Sequence, residues 1–222
     1  MIHIQIFKKI TYILISLSIL YIILGLSKEF TYGEINYGER LTNKMNFYII
    51  PMGDIDKGLL NTIKNSLKVK FNAECIVLGS IIVPESAYDK ERQQFLCSSI
   101  IEELKSHIED RDMYSTRVLG VVDVDIYAPQ LNYIFGQADV GNGICVISLA
   151  RLNEEFYGRE ADEELLKKRA IKEAMHEIGH TYGMGHCFDA RCVMFFSNTL
   201  ADTDYKEADF CPKHKKILKE YR

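Results

Sequence analysis

One eleven-residue stretch limits this chain more than any other: His176-Glu177-Ile178-Gly179-His180-Thr181-Tyr182-Gly183-Met184-Gly185-His186. It matches H-E-x-x-H-x-x-G-x-x-H at every fixed position. The preceding residues read as a helix, because Glu163 to Lys168 are good helix formers with acids first and bases later. Ile171, Met175, Ile178 and Tyr182 fall on one stripe at helical spacing, and His176 and His180 fall on roughly the opposite side. Histidines four apart on a helix point the same way, so both can reach one metal ion at about 2.0–2.1 Å. Gly183 tolerates the left-handed backbone that a sharp helix end requires, and the turn returns His186 as a third ligand. Three protein ligands leave a fourth position for water, the arrangement of a catalytic zinc. Glu177 is placed to accept a proton from that water and pass it to a leaving amine. The bland alternative is a set of surface histidines on an ordinary helix; Glu177, Gly183 and His186 weigh against it.

A second cluster follows at once. Cys187 and Cys192 form C-x4-C, and Cys211 and His214 form C-x2-H. Two such pairs make a closed tetrahedral set with no position for water, which is a structural zinc site. A small C-terminal segment with little core of its own gains folding energy from that clip. The competing readings are a Cys187–Cys192 disulfide with Cys211 free, or three unrelated thiols. The other cysteines, Cys75, Cys97 and Cys145, sit singly in apolar stretches and read as small buried hydrophobes.

Elsewhere the pattern is α/β. Phe47 to Ile50 reads as a strand and Pro51 to Asp54 as a turn. Leu59, Leu60, Ile63 and Leu67 mark a helix face. Further strands are expected at Ile76 to Val83, Val118 to Ala128 and Ile144 to Leu152, with a shorter one at Tyr133 to Ala138; a second amphipathic helix is expected at Phe95 to Ile108. Residues 10 to 26 form an uncharged run behind Lys8 and Lys9, approaching the ~20 residues that span a bilayer. No small-residue cleavage site follows, so residues 1–26 read as a retained membrane anchor with the remainder outside. Residues 27–44 read as a linker and 45–222 as the catalytic domain. The expected localisation is membrane-anchored if translation starts at Met1 and cytoplasmic if it starts at Met45. A net charge of -4 gives no reason to expect nucleic acid as a partner. A monomer is expected.

The run from His176 to Cys187, with Cys192-Val193-Met194 and Cys211-x-x-His214, resembles the archaemetzincins. The likeness extends upstream to Asn46–Asp54, Leu131–Ala138 and Ile147–Leu152. The resemblance implies a metzincin-like zincin fold: a twisted mixed sheet with helices, an active-site helix and a small zinc-clipped C-terminal subdomain. It implies a zinc-dependent metallopeptidase acting on peptides or proteins, with an aminopeptidase as one form. It also implies two zinc ions per chain, catalytic on His176, His180 and His186 with Glu177 as base, structural on Cys187, Cys192 and Cys211. Met194 matches the methionine turn beneath the metal. Two departures stand out: His214 replaces the usual last Cys, and the N-terminal anchor is not a general feature of the family. The Tyr133–Ala138 strand is a candidate edge on which an extended peptide pairs. The competing functions are a catalytically silent zinc scaffold on the same fold and a membrane-tethered processing enzyme.

Overall fold

The computed structural model describes residues 44–108 and 111–220. Strands β1 (Asn46–Met52), β2 (Glu74–Val77), β5 (Thr116–Val122), β7 (Gly136–Asp139) and β8 (Ile144–Ser148) form one sheet in the order β2-β1-β5-β8-β7. Its strands are parallel except β7, which runs antiparallel to β8 along one edge. Period-two alternation sends side chains to both faces. Phe47, Ile49, Leu119, Val121, Cys145 and Ile147 share one buried cluster. Ile50, Met52, Val118, Val122, Ile144 and Val146 share the other. A sheet covered on both faces needs apolar residues at successive positions, and β5 and β8 are buried throughout.

Helix α1 (Lys57–Phe71) and helix α3 (Glu163–Thr181) cover the first face, and α2 (Cys97–Ser106) covers the second. Asp56 caps α1 by accepting from the Leu59 backbone N–H at 2.7 Å, and Leu59, Leu60, Ile63, Leu67 and Phe71 form its buried stripe. Two short helices, α4 (Leu200–Tyr205) and α5 (Pro212–Glu220), complete the C-terminal part. That part is tied back by a Lys70–Asp209 ion pair of 2.8 Å and by Phe210 set edge-on to Phe71. This is the expected mixed α/β architecture.

Some expected elements are shorter. The Val118–Ala128 strand ends at Val122; Ile126–Tyr127 (β6) leaves to pair with Gln94–Leu96 (β4), which also pairs Tyr88–Asp89 (β3). A continued β5 would turn Asp123 and Asp125 onto the buried face that holds Leu119 and Val121. Instead the chain departs and Asp125 binds Arg151 through two hydrogen bonds of 2.6 and 2.7 Å. The Ile76–Val83 strand stops at Val77 with one further bridge at Ile81, and the Ile144–Leu152 strand ends at Ser148 before a 3-10 turn.

The anchor expected at residues 10–26 lies outside the described residues, as does nearly all of the linker. Among the described residues no helix is long and apolar enough to cross a membrane, which corrects the expected transmembrane helix and the localisation built on it. The longest of them, α3, carries seven charged side chains from Glu163 to Glu173 before its histidines begin. Such a helix belongs on a sheet, with one face in water.

Candidate active site

Helix α3 opens on Asp162, whose side chain accepts from the Leu165 N–H at 2.9 Å, with Glu163 and Glu164 in the first turn. Ala170, Ala174, Met175 and Ile178 sink into the core, and Tyr182 stacks on Phe71 with ring centroids 5.5 Å apart. The helix ends where the spacing requires. The Gly183 N–H reaches the His180 carbonyl at 2.8 Å, and Gly183 itself adopts φ +74°, open to glycine and strained for other residues. The chain then doubles back and sets His186 beside the helix.

His176, His180 and His186 each offer one nitrogen within 4.8 Å of the others. The ring orientations are fixed from behind. His176 Nδ1 lies 2.8 Å from the Val193 carbonyl, and His180 Nδ1 lies 2.8 Å from the Met184 carbonyl. A carbonyl only accepts, so both Nδ1 atoms carry protons, and in the neutral rings both Nε2 atoms present lone pairs. Those two Nε2 atoms face each other at 3.0 Å. Two lone pairs that close repel unless a cation lies between them. An extra proton is disfavoured, because burial, then Lys206 and His180, holds His176 well below the usual imidazole range. The donor set therefore fits a metal ion, with backbone carbonyls orienting the ligands from outside.

Glu177 is buried against the edge strand β7. A Cβ at Gly136 would stand 2.6 Å from Glu177 Cγ and 2.7 Å from Oε1, so glycine is what lets strand and carboxylate approach. Burial first, then neighbouring Glu173, pushes the Glu177 carboxyl well above its usual range, opposed by Lys206. A carboxylate with raised proton affinity suits a proton acceptor. A cavity of about 190 Å³ opens beside His176 and Glu177, bounded by the Leu131–Gly136 segment and by Phe196, Ser197 and Asn198.

Beneath the histidines the chain turns at Cys192–Phe195, closed by a 2.9 Å bond from the Phe195 N–H to the Cys192 carbonyl. Met194 is fully buried. Its Sδ would lie 2.5 Å from a Cβ at Gly179, so the helix and turn meet at that glycine. Gly179→Ala is expected to destabilise the chain by about 1–3 kcal/mol, read from a chemical denaturation midpoint. An unchanged midpoint would show that Met194 repacks freely.

The second cluster assembles from three places in the sequence. Cys187, Cys192, Cys211 and His214 bring their ligand atoms within 4.8 Å of one another. Cys187 Sγ and Cys211 Sγ are 3.8 Å apart, and His214 Nδ1 lies 3.2 Å from Cys211 Sγ and 3.5 Å from Cys192 Sγ. Zinc–sulfur bonds of about 2.3 Å in a tetrahedron give sulfur–sulfur edges of about 3.8 Å. All six cysteines are free, which corrects the alternative of a Cys187–Cys192 disulfide. Burial pushes the Cys192 thiol up to about 12, so a thiolate there calls for a cation beside it.

Comparison with known proteins agrees with this geometry. The family model described as peptidase family M54 matches residues 52–220. The chain belongs to peptidase family M54. It is 44% identical over 170 residues to the archaemetzincin of Pyrococcus abyssi, covering 74% of this chain and 89% of that protein. It is 42% identical over 176 residues to the archaemetzincin of Methanocaldococcus jannaschii, covering 79% and 94%. Among solved structures, an archaemetzincin from Archaeoglobus fulgidus, complexed with malonate, superposes with a TM-score of 0.66 at 35% identity, over 78% of this chain and 99% of that one. A zinc-dependent peptidase from Methanocorpusculum labreanum gives 0.72 at 27% identity, over 78% and 99%. As a family M54 member the chain is a zinc metallopeptidase, a hydrolase whose substrates are peptides or proteins.

Several parts of this family M54 site escaped the sequence. The Val193 and Met184 carbonyls are backbone atoms and leave no residue-type signal. Gly136 lies 41 positions before Glu177, and nothing local marks it as the point of approach. Glu173 was findable: it lies three before His176 and four before Glu177, on the same helical face. Its partner Lys206 reaches it from the loop after α4, with Nζ 3.0 Å from Glu173 Oε1 and both side chains buried.

Proposed function

We propose that His176, His180 and His186 hold the catalytic zinc, that Cys187, Cys192, Cys211 and His214 hold a structural zinc, and that Glu177 is the general base of peptide hydrolysis. The facing Nε2 atoms of His176 and His180 at 3.0 Å carry this reading, because that contact calls for a cation. A zinc ion held there would polarise a peptide carbonyl and lower the pKa of its water to about 7. Glu177 takes the proton and delivers it to the leaving amine. The burial that raises its proton affinity supports both halves of that task.

Substrate positioning follows from β7. It pairs with β8 on one side, and an extended peptide added to its other side would run past Gly136 and Glu177. Peptides are read here as cut at internal bonds rather than at a free N-terminus. Capture of an α-ammonium needs an uncommitted carboxylate, and Glu173, the other acid in the cavity, is paired with Lys206. The silent-scaffold reading has no use for a buried carboxylate beside the three histidines.

The test is a mixed peptide library, half of it N-acetylated, incubated with zinc-loaded and with metal-depleted protein. Cleavage of acetylated and free peptides alike is expected, abolished by metal removal and restored by zinc. A library untouched by the zinc-loaded protein would sink the peptidase reading, and cleavage confined to free N-termini would make it an aminopeptidase.

A further inference from the structure

We infer that the Glu173–Lys206 pair sets side-chain selectivity at the cavity beside the metal, favouring an uncharged side chain that ends in a hydrogen-bond donor, as tyrosine does. The inference rests on the peptidase reading above and names the substrate class for that site. Tyr133, Phe135 and Phe196 give the cavity an apolar, aromatic wall, with Phe135 buried edge-on to Tyr133. A cavity of roughly 150 Å³ takes up benzene. One of about 190 Å³ has room for a phenol ring.

The polar end of the cavity is more informative than its walls. Glu173 lines it and is only 3% exposed. Glu173 Oε1 accepts from Thr203 Oγ1 at 3.0 Å and lies 3.0 Å from Lys206 Nζ. That ammonium is fully buried and held as an ion pair rather than as an aligned hydrogen bond. Glu173 Oε2 has no hydrogen-bond partner among the described residues, although an ionised carboxylate accepts on both oxygens. Ser197 also lines the cavity, but its Oγ is buried and has no hydrogen-bond partner among the described residues. The charge at this end is cancelled while its hydrogen-bonding capacity is not.

A side chain entering here leaves water. A lysine or arginine would meet a carboxylate already neutralised by Lys206, and a glutamate would meet that carboxylate directly, so neither recovers its desolvation cost. A phenylalanine would fill the space but leave Glu173 Oε2 unmet. A tyrosine hydroxyl can donate to Glu173 Oε2 while its ring lies among the aromatics.

The test measures binding, which does not require turnover. Peptidyl hydroxamates carrying a tyrosyl, phenylalanyl, lysyl or glutamyl side chain are titrated into the zinc-loaded full chain. The tyrosyl compound is expected to bind about ten- to a hundredfold more tightly than the phenylalanyl one, with both charged compounds weaker still. Glu173→Gln, a conservative change, is expected to collapse the tyrosyl advantage to about threefold or less. Lys206→Met exposes an unpaired carboxylate and is expected to move preference to the lysyl compound. Equal binding of tyrosyl and phenylalanyl compounds, selectivity unchanged in Glu173→Gln, or no hydroxamate binding at all would each overturn the inference. The expected selectivity without any peptide cleavage would support it while the peptidase reading fails.

Discussion

Glu177→Ala is expected to reduce peptide cleavage by about 10²–10⁴-fold with the zinc content unchanged, the range that a positioned general base contributes. The two halves of that result separate its role from a ligand's. Glu177 follows His176 directly and is not among the three residues whose nitrogens converge. Removing it should leave metal binding intact, which metal analysis of the purified variant checks. The side chain also fills the space left open at Gly136, so alanine leaves a hole under β7. Glu177→Gln keeps that volume and removes the base. If glutamine retained wild-type rates while alanine lost them, packing rather than proton transfer would be the function of this residue.

The second large effect is on stability. Cys192→Ser is expected to lower the zinc content from about two ions per chain to about one and to destabilise the fold by roughly 4 kcal/mol or more, since metal-binding energy in such clips is folding energy. Cys192 is the most enclosed of the three clustered thiols, 2% exposed, and its sulfur accepts the Cys211 N–H at 3.2 Å. The damage should spread. Val193 is the next residue, its carbonyl orients His176, and Met194 supports α3 at Gly179. A loosened clip frees that turn, so the variant should also lose activity at temperatures where it stays folded. A zinc count near two in Cys192→Ser, with an unchanged unfolding midpoint, would rule out a structural ion at this cluster.

These expectations divide by how far apart their residues lie in the chain. The spacing of His176, His180, Gly183 and His186 is local geometry: helical pitch puts two rings on one face, and a positive φ returns the third. Local rules do not depend on the remainder of the fold, so this part was legible in the sequence, as were the apolar runs that build β1, β5 and β8. The Cys/His pairs were legible as pairs. That His214 meets Cys187 and Cys192 was decided by how α5 packs, because a contact across more than twenty residues follows from the path of the whole chain. The length of β5 was misjudged for a related reason. Val118 to Ala128 reads as one strand until Arg151 draws Asp125 away.

By itself, then, the sequence determined the helix that carries His176 and His180, its terminating turn and the residue types that could act there. The tertiary structure decided what surrounds them: the Val193 and Met184 carbonyls behind His176 and His180, Gly136 over Glu177, and Lys206 against Glu173. The physical reason is range. Backbone sterics and helical periodicity act over a few residues and are written in consecutive positions. Burial, charge cancellation and close backbone approach arise only when distant segments meet, and no short window of sequence contains both partners.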